Sequence, residues 1–187
     1  LFIFGVGTDI IYKTYDPVGG IGGADNPITL GNGNGLDAAR ACGAPSSDDI
    51  GFIWQDAGND VQVAMWDGDA VLASPPSEDG ATEANGGNNV PVDCVWVNDS
   101  TAIFGFVDLN ALSVDYFTFE NVGNTWSTAD LTLTSNSGDF ASDDIKGMRF
   151  VKNPVSEEVM VTAEDIADDL SATRWDGSSF VNPTAYN

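Results

Sequence analysis

Asp60-Val61-Gln62-Val63-Ala64-Met65-Trp66-Asp67-Gly68 and Asp169-Leu170-Ser171-Ala172-Thr173-Arg174-Trp175-Asp176-Gly177 are two copies of one phrase. Alternation at a period of two marks a strand with two distinct faces. In the turn that follows, Asp hydrogen-bonds its own backbone and Gly takes the positive φ that a tight reversal needs. Two weaker copies exist. Residues 112–118 lead to Phe119-Glu120-Asn121, and residues 10–14 lead to Tyr15-Asp16. The aromatic positions 15, 66, 119 and 175 lie 51, 53 and 56 residues apart, so a tandem repeat of near-constant period runs through the chain.

Working outward, each phrase is preceded by an apolar strand: residues 2–6, 50–54, 102–107 and 158–162. A further strand lies upstream at 39–42, 93–97 and 146–151, and a short one follows each turn at 70–72, 125–127 and 179–181. One unit therefore reads as strand 1, strand 2, strand 3, aromatic turn, strand 4, with tight antiparallel links such as Asp56-Ala57-Gly58-Asn59. The units fall at about 1–35, 36–90, 91–140 and 141–187, joined by Gly-, Asn-, Ser- and Pro-rich linkers. The first unit has no strand 1. An empty place in a sheet exposes unpaired N–H and C=O groups. It is expected to be filled in cis by residues 182–187, where Pro183 suits an edge, or by strand addition from a neighbouring chain. The fold class is all-β: four tandem antiparallel repeats of about 45–50 residues, propeller-like with four blades, or alternatively a β-sandwich.

Composition agrees. In 187 residues there are 29 acids against six Lys and Arg, a formal charge of −23, and 23 of the acids are Asp, a turn former, rather than Glu. Such a charge excludes a nucleic-acid binder and disfavours anionic membranes. No apolar run is long enough to span a bilayer as a helix. The chain opens on Leu1, which reads as a processed or trimmed end. Cys42 and Cys94 both sit on strand 1 of adjacent units, where a bridge between units is expected; the alternative is two buried thiols. Asn98-Asp99-Ser100 is a sequon, and Asn98 a candidate glycosylation site.

The last unit carries the clearest resemblance. Asn153-Pro154-Val155-Ser156-Glu157-Glu158, then Arg174-Trp175-Asp176-Gly177-Ser178-Ser179-Phe180, resembles a repeat of bacterial and archaeal surface proteins with N-P-x-x-x-E and W-[DN]-G-S-x-W turns, and Tyr12-Lys13-Thr14-Tyr15-Asp16 resembles its opening copy. Some of those proteins look pilin-like, with a hydrophobic N-terminal helix ahead of the β region. That helix is expected to be a separate chain, to have been cut from this one, or never to have been present. The resemblance implies location and architecture rather than activity. The middle units depart from it, since Phe119-Glu120-Asn121 lacks Trp, Asp and Gly.

With no His in the chain there is no Ser-His-Asp or Cys-His pair. The acidic pairs Asp48-Asp49, Asp143-Asp144 and Asp168-Asp169 recur at or just before strand starts, which marks solvated turns rather than one active site, so no enzyme is expected. Asp67 with Asp69, and Asp56 with Asp60, offer oxygen ligands for calcium, although none has EF-hand spacing. Two functions remain. The first is a non-enzymatic structural subunit of an extracellular filament or pilus-like surface assembly. It would self-associate or bind a small helical pilin-type chain through Leu1, Phe2, Ile3 and Phe4. The second is a secreted, lectin-like propeller reading sugars through Trp54, Trp66, Trp96, Trp126 or Trp175.

Overall fold

A computed structural model describes residues 2–6, 9–22, 26–28, 36–58, 60–72, 77–78, 91–108, 113–127, 131–132, 145–165, 168 and 170–186. Among these there is no helix, and every ladder is antiparallel. The first unit comprises β1 (Phe2–Val6), β2 (Asp9–Lys13), β3 (Tyr15–Asp16), β4 (Gly20–Ile21) and β5 (Asn26–Ile28), with the sheet order β1-β2-β5 and a small β3-β4 ladder. The second is β6 (Leu36–Gly43), β7 (Ile50–Asp56), β8 (Val61–Trp66) and β9 (Ser77–Glu78), in that order. The third is β10 (Val92–Trp96), β11 (Thr101–Asp108), β12 (Ser113–Glu120) and β13 (Thr125–Trp126), with β14 (Leu131–Thr132) also on β12. The fourth is β15 (Ile145–Lys152), β16 (Val159–Asp165), β17 (Leu170–Trp175) and β18 (Phe180–Tyr186).

The repeat is real at the level of register. In all four units the aromatic residue pairs across the turn with a residue of the segment that follows: Tyr15 with Ile21, Trp66 with Val71, Phe119 with Trp126, Trp175 with Phe180. Each intervening turn contains one glycine at positive φ, namely Gly20 at 82°, Gly68 at 96°, Gly123 at 94° and Gly177 at 106°. The third copy reverses through the longer turn Asn121-Val122-Gly123-Asn124, with Asn124 also at positive φ (51°), so its missing Trp-Asp-Gly goes with a different turn between the same strands.

Units pack face on face in chain order. On β11, Ala102, Phe104 and Phe106 join a core with Ile53, Val61, Val63 and Met65 of the second unit. The alternate residues Ile103 and Val107 join another with Met148, Val159, Val161 and Ala163 of the fourth. A third core holds Phe52, Trp54, Ala64 and Trp66, with Tyr12 of the first unit packed on it. Both faces of the middle sheets are buried, which is why β7 and β11 read as continuous apolar runs rather than alternations. Burying a side chain such as Phe104 contributes about 1.5–3 kcal/mol. Space for it comes from a glycine opposite: a Cβ on Gly51 would lie 2.5 Å from the Phe104 ring, and one on Gly105 2.6 Å from Met148 Cε. The first strands β6, β10 and β15 lie side by side, and Cys42 and Cys94 are joined in a disulfide across the second and third units.

One expectation changes. The tail does not fill the empty first-unit slot: β18 is the fourth strand of the fourth unit, pairing Thr184 with Ala172 and Tyr186 with Leu170. Pro183 sits where the register shifts between Ala172 and Arg174, an edge position that needs no N–H donor. Among the described residues β1 pairs only with β2. The linkers at 29–35, 79–90 and 133–144 lie outside the described residues.

Candidate functional site

The turns between strands 1 and 2 and between strands 3 and 4 of a unit lie together: a Cβ on Gly68 would meet Asp48, and one on Gly177 would meet Glu157. Polar side chains on these turns cross from unit to unit. Asn121 Nδ2 donates to Asp49 Oδ2 at 2.8 Å, and Ser47 Oγ donates to the same oxygen at 2.6 Å, which ties the third unit to the second. Asn98 Nδ2 donates to Glu157 Oε1 at 3.1 Å, which ties the third to the fourth. Asp49 is buried, so this acid is not the solvated turn residue that its sequence context suggests.

The three first strands carry a second polar feature. Arg40 pairs with Ile53, Asp93 with Gly105 and Arg149 with Thr162, which is the same ladder position in three successive units. Asp93 Oδ2 accepts the Phe150 N–H at 2.8 Å and Oδ1 that of Cys94 at 3.0 Å, so this carboxylate fastens β10 to β15. Burial pushes its pKa up, while those two N–H donors and the Arg149 and Arg40 charges oppose the shift. Arg40 and Arg149 each donate one N–H to the preceding carbonyl, of Ala39 and Met148, leaving further donors on each guanidinium. This row was missed in the sequence. Its signal was there: positions 40, 93 and 149 are spaced 53 and 56 apart, matching the aromatic period.

The sequence-derived candidates fall as follows. Trp54, Trp66, Trp96 and Trp175 are buried in the cores between units, and Trp126 is half-buried against Phe104 and Phe119. Trp96 Nε1 donates to Cys42 O at 3.2 Å, another tie across the second joint. Asp67 Oδ1 accepts the N–H groups of Asp69 and Ala70, and these hold its carboxyl below the usual range; Asp176 does the same with Ser179 and Ser178. Asp56 Oδ1 accepts from Gly58 and Asp60 N–H, so in the calcium candidates Asp56 and Asp67 one carboxylate oxygen holds the residue's own turn. No group of three or more potential metal ligands occurs among the described residues. Asn98 Oδ1 accepts from Ser100 and Thr101 N–H, so both ends of that amide are engaged. Asp168 pairs with Lys146, raising the lysine pKa and lowering its own. Asp143, Asp144 and Leu1 lie outside the described residues. Phe2, Ile3 and Phe4 form part of the β1 backbone.

No protein-family model matches the chain, and no curated protein matches it. Solved structures do. A triple-arginine mutant of AofleA from Arthrobotrys oligospora is similar over 96% of this chain and 49% of its own, at 11% identity and a TM-score of 0.54. The fucose-specific lectin of Aleuria aurantia is similar over 94% of this chain and 52% of its own, at 13% identity and 0.53. SapL1 lectin, solved with α-methyl fucoside, is similar over 96% and 60%, at 15% identity and 0.51. The chain spans about half the length of the first two and 60% of the third. At these identities the likeness is one of fold: this chain has the architecture of the propeller lectins.

Proposed function

We propose that the protein is a non-enzymatic, secreted carbohydrate-binding module. The observation that carries the reading is the likeness of nearly the whole chain to a fucose-specific lectin and to a lectin solved with α-methyl fucoside. The filament or pilus reading gains no comparable support. Fold alone does not fix function, so the site has to supply the chemistry. Saccharide hydroxyls both donate and accept, and recognition needs clustered carboxylates and amides. The joints between units provide such groups: Ser47, Asp49 and Asn121 at one, and Glu157, held by Asn98, at the next. The buried indoles hold the scaffold, which leaves half-buried Trp126 as the stacking candidate. A surface at −23 repels acidic sugars and favours neutral ones. The Cys42–Cys94 bridge accords with an oxidising compartment outside the cytosol.

The test is a glycan array with the labelled protein, followed by calorimetry with α-methyl fucoside as the first probe. Binding to neutral saccharides is expected, weakened at least tenfold by Asn121→Ala or Glu157→Ala. A folded, disulfide-bonded protein that binds no glycan on the array overturns the reading.

A further inference from the structure

β6, β10 and β15 are each the outer strand of their own sheet, and they lie side by side. On such a strand alternate N–H and C=O groups point away from the sheet. On β15 these belong to Met148 and Phe150. Phe150 N–H leaves the ladder for Asp93 Oδ2, at 2.8 Å, and Met148 O accepts from Arg149 Nη1 at 3.2 Å. Their counterparts behave alike. Cys94 N–H, at the ladder place of Phe150, donates to Asp93 Oδ1 at 3.0 Å. Ala39 O, at the ladder place of Met148, accepts from Arg40 Nη1 at 3.1 Å. Two guanidinium heads and one carboxylate thus lie at one level on three adjoining strand edges, in the order Arg40, Asp93, Arg149.

All three groups keep unused capacity. Each guanidinium spends one N–H on its own strand and retains its other donors, and each Asp93 oxygen accepts one N–H and retains a lone pair. In a chain with 29 acids, neither arginine is within ion-pair distance of a carboxylate among the described residues. Arg40 and Asp93 are half-buried and Arg149 is exposed, so a small solute can reach them. We propose that this row binds inorganic hydrogen phosphate, with its anionic oxygens on Arg40 and Arg149 and its P–OH donated to Asp93. Guanidinium forks match the oxygens of a phosphate. The carboxylate between them sets the choice. It only accepts, so it favours an oxyanion that still carries a proton and repels one that carries none. Sulfate carries none at neutral pH. A phosphate monoester, with its second pKa at about 6, has mostly lost its own, whereas inorganic phosphate keeps one. The chain's −23 is no bar, because about 0.15 M salt screens that field beyond roughly 8 Å and leaves the groups in contact to decide. The row shares no residue with the turns offered to sugars, and the proposal does not depend on carbohydrate binding.

Phosphorus NMR of inorganic phosphate at neutral pH, titrated with the full 187-residue chain, reads binding as a shifted and broadened line. Saturable binding is expected. Sulfate and methyl phosphate, added as competitors, should each displace phosphate about tenfold less effectively than unlabelled phosphate does, the cost of one lost hydrogen bond to a charged group. Arg40→Gln and Arg149→Gln should each weaken binding by about tenfold or more. Arg174→Gln removes the same charge from a side chain paired with Glu158 and should leave binding unchanged. Asp93→Asn should bring sulfate level with phosphate, because an amide donates as well as accepts. Circular dichroism verifies that each variant is folded, and the comparison of anions on the unsubstituted protein decides without any variant. An unperturbed phosphate line, sulfate or methyl phosphate competing as well as phosphate, or full binding in both arginine variants overturns the proposal.

Discussion

At the residue scale, packing hinges on two glycines that no turn requires. Gly51 and Gly105 sit in strand interiors, where glycine ordinarily weakens a sheet. Each faces an aromatic or thioether group of the next unit at a distance that leaves no room for a methyl. Gly51→Ala and Gly105→Ala are therefore each expected to cost about 1–3 kcal/mol by overpacking, read as a lower urea midpoint at unchanged slope. The turn aspartates behave differently. Asp67 and Asp176 have lowered pKa values because backbone N–H groups favour their charged forms, so their contribution is present above the unfolded value of 3.8 and fades as pH falls below it. Asp93 has the opposite sign. Its raised pKa means that the ionised, buried form costs stability, and protonation on acidification recovers it. Urea midpoints measured against pH should hold or rise from neutrality towards pH 4 and drop below 3.8, and Asp93→Asn should flatten the rising limb.

At the scale of elements, the Cys42–Cys94 bridge spans a sequence separation of 52 and pins β6 to β10. Closing a loop of that length in the unfolded chain stabilises by about 4 kcal/mol in the chain-entropy account. Reduction, or Cys42→Ala with Cys94→Ala, is expected to lower unfolding free energy by about 2–4 kcal/mol while leaving the strand content measured by circular dichroism unchanged. Strands 1 to 3 of each unit were legible in the sequence because alternation and apolar runs are written in the residues themselves, and the aromatic turns because Asp and Gly report turn geometry. The fourth strands were less so. Their partners are set by which edge is free. Nothing in Asn182-Pro183-Thr184-Ala185-Tyr186 says that it continues β18 rather than filling a distant slot. The row Arg40, Asp93, Arg149 was hidden for a related reason: three different letters share a position only once the ladders are known.

At the scale of the whole molecule, charge is the main term opposing compactness. A formal −23 on 187 residues repels itself at low ionic strength, and about 0.15 M salt screens that repulsion beyond roughly 8 Å. Thermal midpoints should therefore climb with added NaCl between 10 mM and 0.5 M, approximate test conditions that bracket this screening; a midpoint indifferent to salt would show that the acids are arranged without net repulsion. The buried indoles settle what most of the tryptophans are for, since Trp54, Trp66, Trp96 and Trp175 seal joints between units. Under the proposed carbohydrate-binding function, recognition falls to the polar turns at those joints, whose residues come from separate units and become neighbours only in the fold.

Equivalence of the joints is the claim on which the fold and the candidate site depend, and it can be tested by transplanting the natural bridge. Cys42 pairs with Gly51 and Cys94 with Phe104. The matching positions one joint along are Val95, paired with Ile103, and Phe150, paired with Val161. In a Val95→Cys, Phe150→Cys variant, peptide mapping by mass spectrometry should find a new 95–150 linkage beside the intact 42–94 one. Two free thiols at 95 and 150, or scrambled pairing with Cys42 and Cys94, would contradict it.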